Sequence, residues 1–298
     1  KGAQVILTTK QTGGGDGVIP INLPTLPRDI RVGDTVLLDD GAMQLKVLER
    51  QGTEVRCKVV VGGILIDKRG LVVPGMRISG PFITDTLRDS ICFALGQEPD
   101  YLALSFVSDA KDVDGVRAIL HENGAYVPVI AKIERGTAVD RFDSILLVSD
   151  GIMVARGDLG VDIALERVPL VQKEIIGKCN QAGKLVITAT QMMESMVNAP
   201  SPTRAEVADV ANAIFDGTDA IMLSAETSIG KYPVQAVKMM ANIARETEDK
   251  LPYEQMLSER GKWLEPKTDE LISYSACYTA HSLGAAAIVA FTRSGSTA

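Results

Sequence analysis

The chain has 298 residues, with 31 basic against 38 acidic side chains for a formal net charge of −7. That balance argues against a nonspecific nucleic-acid binder. A composition of 46% hydrophobic and 23% charged residues excludes a disordered chain and allows a sizeable core in roughly two domains. The four cysteines, Cys57, Cys92, Cys179 and Cys277, form no C-x-x-C pair. Their spacing suggests neither a zinc site nor a disulfide framework, so reduced thiols in the cytoplasm, a plastid or another reducing organelle are expected. The two histidines, His121 and His281, stand far apart, and catalysis by histidine is not expected. No apolar run is long enough to span a membrane, and no membrane partner is expected. The opening Lys1-Gly2-Ala3 lacks an initiator Met, which suggests a chain that begins inside a longer gene product.

Residues 1–80 read as an all-β domain, a small barrel or sandwich. Met43, Leu45 and Val47 alternate with Gln44, Lys46 and Leu48, and Val55, Cys57, Val59 and Val61 alternate with Glu54, Arg56, Lys58 and Val60. Asp40-Gly41 and Gln51-Gly52 supply turns. Gly13-Gly14-Gly15 with Pro20, Pro24 and Pro27 predicts a flexible loop.

Residues 81–250 change period. Five short, nearly continuous apolar runs recur every 24 to 34 residues: Tyr101–Phe106, Val127–Ile133, Gly151–Arg156, Leu185–Thr190 and Asp219–Ser224. Buried parallel strands have this character. Helical patterns such as Leu170–Asn180 and Thr203–Phe215 lie between them, and Thr203 with Glu206 predicts a capping box. Five βα units in series point to a parallel sheet or a (β/α)8 barrel. Residues 251–298 add a polar linker around Trp263–Lys267, a predicted helix over Glu270–Leu283 and a predicted strand over Ala286–Phe291, the start of a third domain of α/β type.

In a parallel α/β architecture, working residues gather at the carboxyl ends of the strands. Those ends here carry Ser105, then Lys132 and Glu134, then Arg156 and Asp158, then Thr190 and Gln191, then Ser224 and Glu226. Lys132 and Glu134 are two apart and share a strand face. Glu134 and Asp158 come from neighbouring strands, so two carboxylates can meet on one hard cation such as Mg²⁺ or Mn²⁺. Lys132 beside them would neutralise a phosphoryl group in transfer, while a simple Lys132–Glu134 ion pair is the competing reading. The turn Arg156-Gly157-Asp158-Leu159-Gly160 could offer backbone N–H groups to a substrate carboxylate, or the glycines could merely make the turn. No Walker-type phosphate loop occurs.

These strand ends resemble those of the pyruvate kinase family. Ile130-Ala131-Lys132-Ile133-Glu134 is similar to the family's lysine–glutamate motif, and Ser149 through Gly160 to its metal-binding strand end. Ile187-Thr188-Ala189-Thr190-Gln191-Met192 resembles its substrate threonine strand, and Pro202 through Glu206 the helix that follows. Met222-Leu223-Ser224-Ala225-Glu226 resembles the last barrel strand, and Val36 through Gly41 the lid.

The resemblance implies a partial (β/α)8 TIM-type barrel, its last five strands, with an inserted β-barrel lid over 1–80 and the opening of a C-terminal regulatory α/β domain. It implies glycolytic transfer of a phosphoryl group from phosphoenolpyruvate to ADP, giving pyruvate and ATP. Lys132 would stabilise the transferring group, with Ser105 near it. Glu134 and Asp158 would hold the divalent metal. Gly157, Asp158 and Thr190 would bind the substrate carboxylate, and Lys68 the nucleotide. Ser224 and Glu226 would feed a water chain that protonates the enolate, and Arg204 would reach a neighbouring subunit of a homotetramer. In the family the first three βα units precede the lid and carry the K⁺ ligands, which this chain lacks. The sequence departs from the family at Ala225, at Arg135 and over Val72-Val73-Pro74-Gly75. Two other readings stand beside this one: an inactive fragment that keeps only metal and carboxylate binding, and another metal-dependent barrel enzyme acting on a keto acid.

Overall fold

A computed structural model describes residues 1–10, 14–15, 17–39, 41–67, 69–262 and 267–291. The chain divides into two compact units, Lys1–Ala244 and Arg245–Ala298.

The first unit opens with β1 (Gln4–Thr8), β2 (Val18–Pro20), the helical turn α1 (Leu26–Asp29), β3 (Thr35–Leu38), β4 (Met43–Gln51), β5 (Glu54–Val61) and β6 (Leu71–Val72). The strands form one six-stranded sheet in the order β2-β1-β5-β4-β3-β6. Period-2 alternation sends Val36, Leu38, Met43, Leu45, Val47, Val55 and Cys57 into a single cluster with Leu7, Leu26, Ile30, Val73 and Met76. A register shift between Val47 and Glu49 interrupts the β4–β5 ladder, and Leu48 between them stays exposed. Burial pushes the Cys57 thiol up to about 11, so it is an inert part of this core.

The flexible loop predicted around the prolines is corrected here. Pro20 ends β2, which pairs in parallel with β1 through Thr8↔Pro20. Pro27 lies in α1 and is buried beside Leu26. Proline lacks an N–H, which an edge strand and a first helical turn do not require. Gly13 lies outside the described residues, as do Asp40 of the predicted turn and Lys68, the predicted nucleotide contact.

All five predicted parallel strands form: β7 (Leu102–Leu104), β8 (Val129–Ile133), β9 (Gly151–Ala155), β10 (Leu185–Ala189) and β11 (Ala220–Met222). They lie in the order β11-β10-β9-β8-β7 and every pairing is parallel, the arc of an α/β barrel. The intervening helices are α2 (Asp85–Leu95), α3 (Ala110–Glu122), α4 (Gly136–Asp140), α5 (Phe142–Val148), α6 (Arg156–Asp162), α7 (Val168–Ala182), α8 (Arg204–Phe215), α9 (Ala225–Ser228) and α10 (Pro233–Glu248). β9, central in the sheet, is buried at all five residues. Its outward side chains Ile152 and Val154 share a core with Val171, Ile175, Ile176 and Cys179 of α7 and with Val186 of β10.

Carboxylates stitch the amino ends of the strands. Asp150 Oδ2, just before β9, accepts from Val129 N of β8 at 2.7 Å and from the Arg117 guanidinium at 2.8 Å. Asp219 Oδ2, before β11, accepts from Val186 N of β10 at 2.8 Å. Each satisfies the start of the neighbouring strand, a stabilising role that suits the amino face of such a sheet.

The second unit contains α11 (Tyr253–Gly261) and α12 (Thr268–Leu283), the latter ended by Gly284 in the left-handed region at φ 61°. The predicted helix over Glu270–Leu283 thus forms, beginning two residues earlier. The predicted strand over Ala286–Phe291 does not: these residues are irregular and exposed, since a strand requires a ladder partner and none of the described segments supplies one. Most of the predicted linker, 263–266, and the segment 292–298 lie outside the described residues.

The predicted capping box at α8 is present. Thr203 Oγ1 accepts from Glu206 N at 3.2 Å, and Glu206 Oε2 accepts from Thr203 N at 2.7 Å. The Glu206 carboxylate also takes the Ser195 N–H and hydroxyl. Burial opposes ionisation of Glu206, but the bonds from Ser195 and Thr203 outweigh it and hold its carboxyl below the ordinary glutamate value. A group with a depressed folded value stabilises the fold above its unfolded pKa of about 4.3 and loses that contribution as pH falls through the folded value. Replacement of Glu206 by Gln is expected to remove this part of the acid limb and to lower stability at neutral pH. Urea midpoints measured from pH 7 down to pH 3 would check it; parallel curves for the two proteins would contradict it.

Candidate active site at the carboxyl ends of the strands

The five carboxyl ends are joined in series by charged side chains. At β7 and β8, Lys132 Nζ donates to Ser105 Oγ at 2.7 Å and pairs with Glu134 Oε1 at 2.6 Å. The Lys132–Glu134 ion pair, one of the two readings of these residues, is therefore formed. The second oxygen, Glu134 Oε2, accepts from Phe106 N at 2.6 Å. Phe106 has φ 60°, a left-handed conformation that a bulky residue adopts only when its surroundings impose it. The Glu134 side chain is 1% exposed and the Lys132 side chain 22%, so the ammonium is the part that reaches toward solvent.

At β9 and β10 the organising group is Arg156, the first residue of α6, with its side chain 8% exposed. Its Nη2 donates to Thr190 O and Gln191 O, both at 3.0 Å, and its Nε to Thr190 O at 3.3 Å. Its Nη1 pairs with Asp209 of α8 at 2.7 Å and reaches Gln172 of α7 at 3.4 Å. Thr190 and Gln191 have φ 67° and 52°, two left-handed residues in succession, the first β-branched. Each such residue costs on the order of 1–3 kcal/mol, and the guanidinium fork holds both carbonyls in place. One residue further, Gly157 N donates to Thr190 Oγ1 at 2.7 Å. A Cβ at Gly157 would stand 3.2 Å from that hydroxyl, so the close approach suits glycine.

At β11, fully buried Glu226 accepts from Ser224 N at 2.9 Å and, across to the loop after β10, from Met193 N at 3.0 Å. Arg204 is exposed at the first position of α8.

Of the sequence-predicted residues, the structure brings Ser105, Lys132 and Glu134 into direct contact, and likewise Gly157 and Thr190, and Ser224 and Glu226. Asp158 lies in the first turn of α6, directly after Gly157. The roles of Arg156, Asp209 and Phe106 were not foreseen. Arg156 carried a signal, a lone cation closing a buried apolar run; Asp209 stood in a stretch, Asp209–Ala213, that resembles the family's helix, without a role of its own, and the left-handed Phe106 carried none.

Among the described residues no three His, Cys, Asp or Glu side chains gather closely enough to cage a metal. β8 and β9 run level through Ile133↔Val154, so Glu134 and Asp158 follow the carboxyl ends of neighbouring strands. A carboxylate has about four lone-pair sites, and the two contacts to Glu134 use two of them. Two hard carboxylates suit an ion whose shell is completed by ligand oxygens and water.

A parallel α/β sheet with an appended β domain and a charged array at its carboxyl ends has the architecture of an α/β barrel with its candidate site on that face. Comparison with known proteins narrows that class. The family described as pyruvate kinase, barrel domain, matches residues 1–237. Pyruvate kinases of Bacillus licheniformis and Geobacillus stearothermophilus are 48% and 46% identical over the whole of this chain, which covers 51% of each. That of Clostridium acetobutylicum is 44% identical, with 63% of its length covered. A crystal structure of a pyruvate kinase from Cryptosporidium parvum superposes with a TM-score of 0.86 at 39% identity, over 95% of this chain and 59% of that one. The chain belongs to the pyruvate kinase family, and it spans about half the length of most of the curated relatives it matches.

Loss of the Arg156 fork would leave Asp209 and two backbone carbonyls without their partner. Arg156→Leu is expected to cost about 3 kcal/mol or more. Asp209→Asn, at a side chain 38% exposed, should cost markedly less. Equilibrium denaturation of both variants checks the order, and equal costs would contradict it.

Proposed function

We propose that the protein transfers the phosphoryl group of phosphoenolpyruvate to ADP, giving pyruvate and ATP. The observation that carries this reading is the Lys132 ammonium, held between the Ser105 hydroxyl and the Glu134 carboxylate at the carboxyl ends of β7 and β8. A loose phosphoryl-transfer transition state asks mainly for position and positive charge, and a fixed, partly exposed ammonium supplies both.

In this reading Lys132 neutralises the phosphoryl oxygens, and Ser105 holds the ammonium in line. Glu134 and Asp158 would hold Mg²⁺, or Mn²⁺; when bound, the ion supplies further positive charge to substrate oxygens. Gly157, Asp158 and Thr190 form the seat for the substrate carboxylate, which Arg156 keeps in shape from behind. The bond between phosphorus and the enol oxygen breaks as one to the terminal oxygen of ADP forms. The enolate left behind takes a proton on its terminal carbon and becomes pyruvate. Ser224 and Glu226 belong to the water chain that delivers that proton, and Glu226 fixes the Ser224 backbone.

Lys68 is assigned to the nucleotide by resemblance. The K⁺ of the family has no ligand assigned in this chain. Arg204 is assigned to a subunit interface of a homotetramer. Its helix, α8, also carries Asp209, the partner of Arg156, so an interface there would connect physically to the Thr190 seat. All four cysteines are free thiols, which suits the reducing cytoplasm. Among the described residues no helix is long and apolar enough to cross a membrane. A second reading concerns the 298-residue chain on its own, which would bind Mg²⁺ and oxalate without turnover; β7 and β11 are open edges, so the barrel does not close among the described strands. Calorimetry beside an activity assay on this chain separates the two.

In the whole protein, Lys132→Met is expected to lower ATP formation about a hundredfold or more. Chelation of divalent ions should abolish it, with recovery on adding Mg²⁺ or Mn²⁺. A coupled assay with and without ADP checks both, and full activity of the Lys132→Met enzyme would refute the assigned role.

A further inference from the structure

One carboxylate connects the exit of the β domain to the strand ends. Asp162 is the last residue of α6, four residues after Asp158 and therefore on the same side of the helix. Its Oδ2 accepts from Gly136 N at 2.6 Å, and its Oδ1 accepts from Gly75 N at 3.2 Å. Gly136 opens α4, two residues beyond Glu134. Gly75 lies where the chain leaves the β domain, three residues after β6, and has φ 70°. One side chain thus binds the lid's exit, the segment after Glu134 and the helix of Asp158.

The two bonds differ. Gly136 N is half-buried and its bond is short, and a Cβ there would stand 3.1 Å from Ile163 and 3.4 Å from Asp162 Oδ2. Gly75 is exposed, its bond is long, and nothing lies within 4 Å of where its Cβ would be. The Gly136 side is built tight, while the Gly75 side can open to water at little cost.

We propose that Asp162 is a positioning residue: a latch that holds the β domain's exit against the ends of β8 and β9 and so sets the orientation of the lid over a nucleotide bound beneath it. The proposal rests on the phosphoryl-transfer reading for its kinetic consequence and on geometry alone for the latch. An asparagine keeps the size but has one acceptor oxygen, so one of the two N–H groups loses its partner. A glutamate keeps both acceptors.

The test uses the whole protein with Asp162→Asn and Asp162→Glu. Loss of one net hydrogen bond corresponds to about a fivefold change in an equilibrium. Asp162→Asn is therefore expected to raise KM for ADP about fivefold, with KM for phosphoenolpyruvate little changed, and Asp162→Glu to restore most of it. Separately, spin labels at Leu48→Cys on the β domain and Leu147→Cys on α5, both exposed, report the distance between the two parts. The background replaces exposed Cys92 and Cys277 by serine. Asp162→Asn should broaden that distance distribution and Asp162→Glu should narrow it again. An unchanged distribution in Asp162→Asn overturns the latch, and so does a parallel loss in kcat and in both KM values together with a lowered Tm. If the unmodified protein forms no ATP at all, the assigned reaction falls, and the distance measurement still decides the latch.

Discussion

The arrangement of the site depends on one buried cation. The Arg156 guanidinium points its fork at the carbonyls of Thr190 and Gln191, the two residues that turn the chain after β10. Both sit in the left-handed region, where a β-branched residue is costly. An arginine buried to this degree needs acceptors for most of its five N–H groups, and here it finds two backbone carbonyls, a carboxylate and an amide oxygen. The hydrogen bonds and the ion pair to Asp209 offset both the backbone strain and the desolvation of the guanidinium. The result is a Thr190 hydroxyl fixed 2.7 Å from Gly157 N, at the place where Asp158 begins.

The same logic recurs along the sheet. Phe106 is strained and Glu134 from the next strand holds its N–H. Asp162 holds Gly136 after β8 from the helix that follows β9. Glu226 after β11 holds Met193 beyond β10. The carboxyl ends of β7, β8 and β10 are thus each held by a charged group belonging to a neighbouring strand end. Charged groups at the amino ends, Asp150 and Asp219, also bind a neighbouring strand, but they meet ordinary extended backbone and no left-handed residue. Of the left-handed non-glycine residues in this part of the chain, Phe106, Thr190 and Gln191 follow carboxyl ends and are held there by Glu134 and Arg156, while Glu98 precedes β7.

Much of this was legible in the sequence, for a stated reason. Parallel strands buried on both faces must be continuously apolar, so the five runs stand out, and polar residues that close them mark the carboxyl ends. The alternation of β4 and β5 and the Thr203–Glu206 box are equally local signals. What could not be read depends on partners far along the chain. Ala286–Phe291 has the composition of a strand, but composition supplies no ladder. The prolines near residue 20 read as loop breakers, yet an edge strand and a helix start accept them. The left-handed Phe106, Thr190 and Gln191 are invisible to propensity, because their conformations are imposed by Glu134 and Arg156 from other strands.

α6 shows how few residues carry this organisation. Over Arg156–Asp162, seven residues present a buried guanidinium, a close-approach glycine, a carboxylate at the first turn and a second carboxylate four positions on. The first turn faces the β10 seat through Arg156 and Gly157, and the last residue binds the β8 segment and the exit of the β domain. A helix this short has little stability of its own. Its position is therefore set by these contacts, together with buried Leu159, and any shift in one of them moves the others. The residue that meets the exit of the β domain and the residue that abuts the Thr190 hydroxyl thus lie within two turns of one helix, with Asp158 between them.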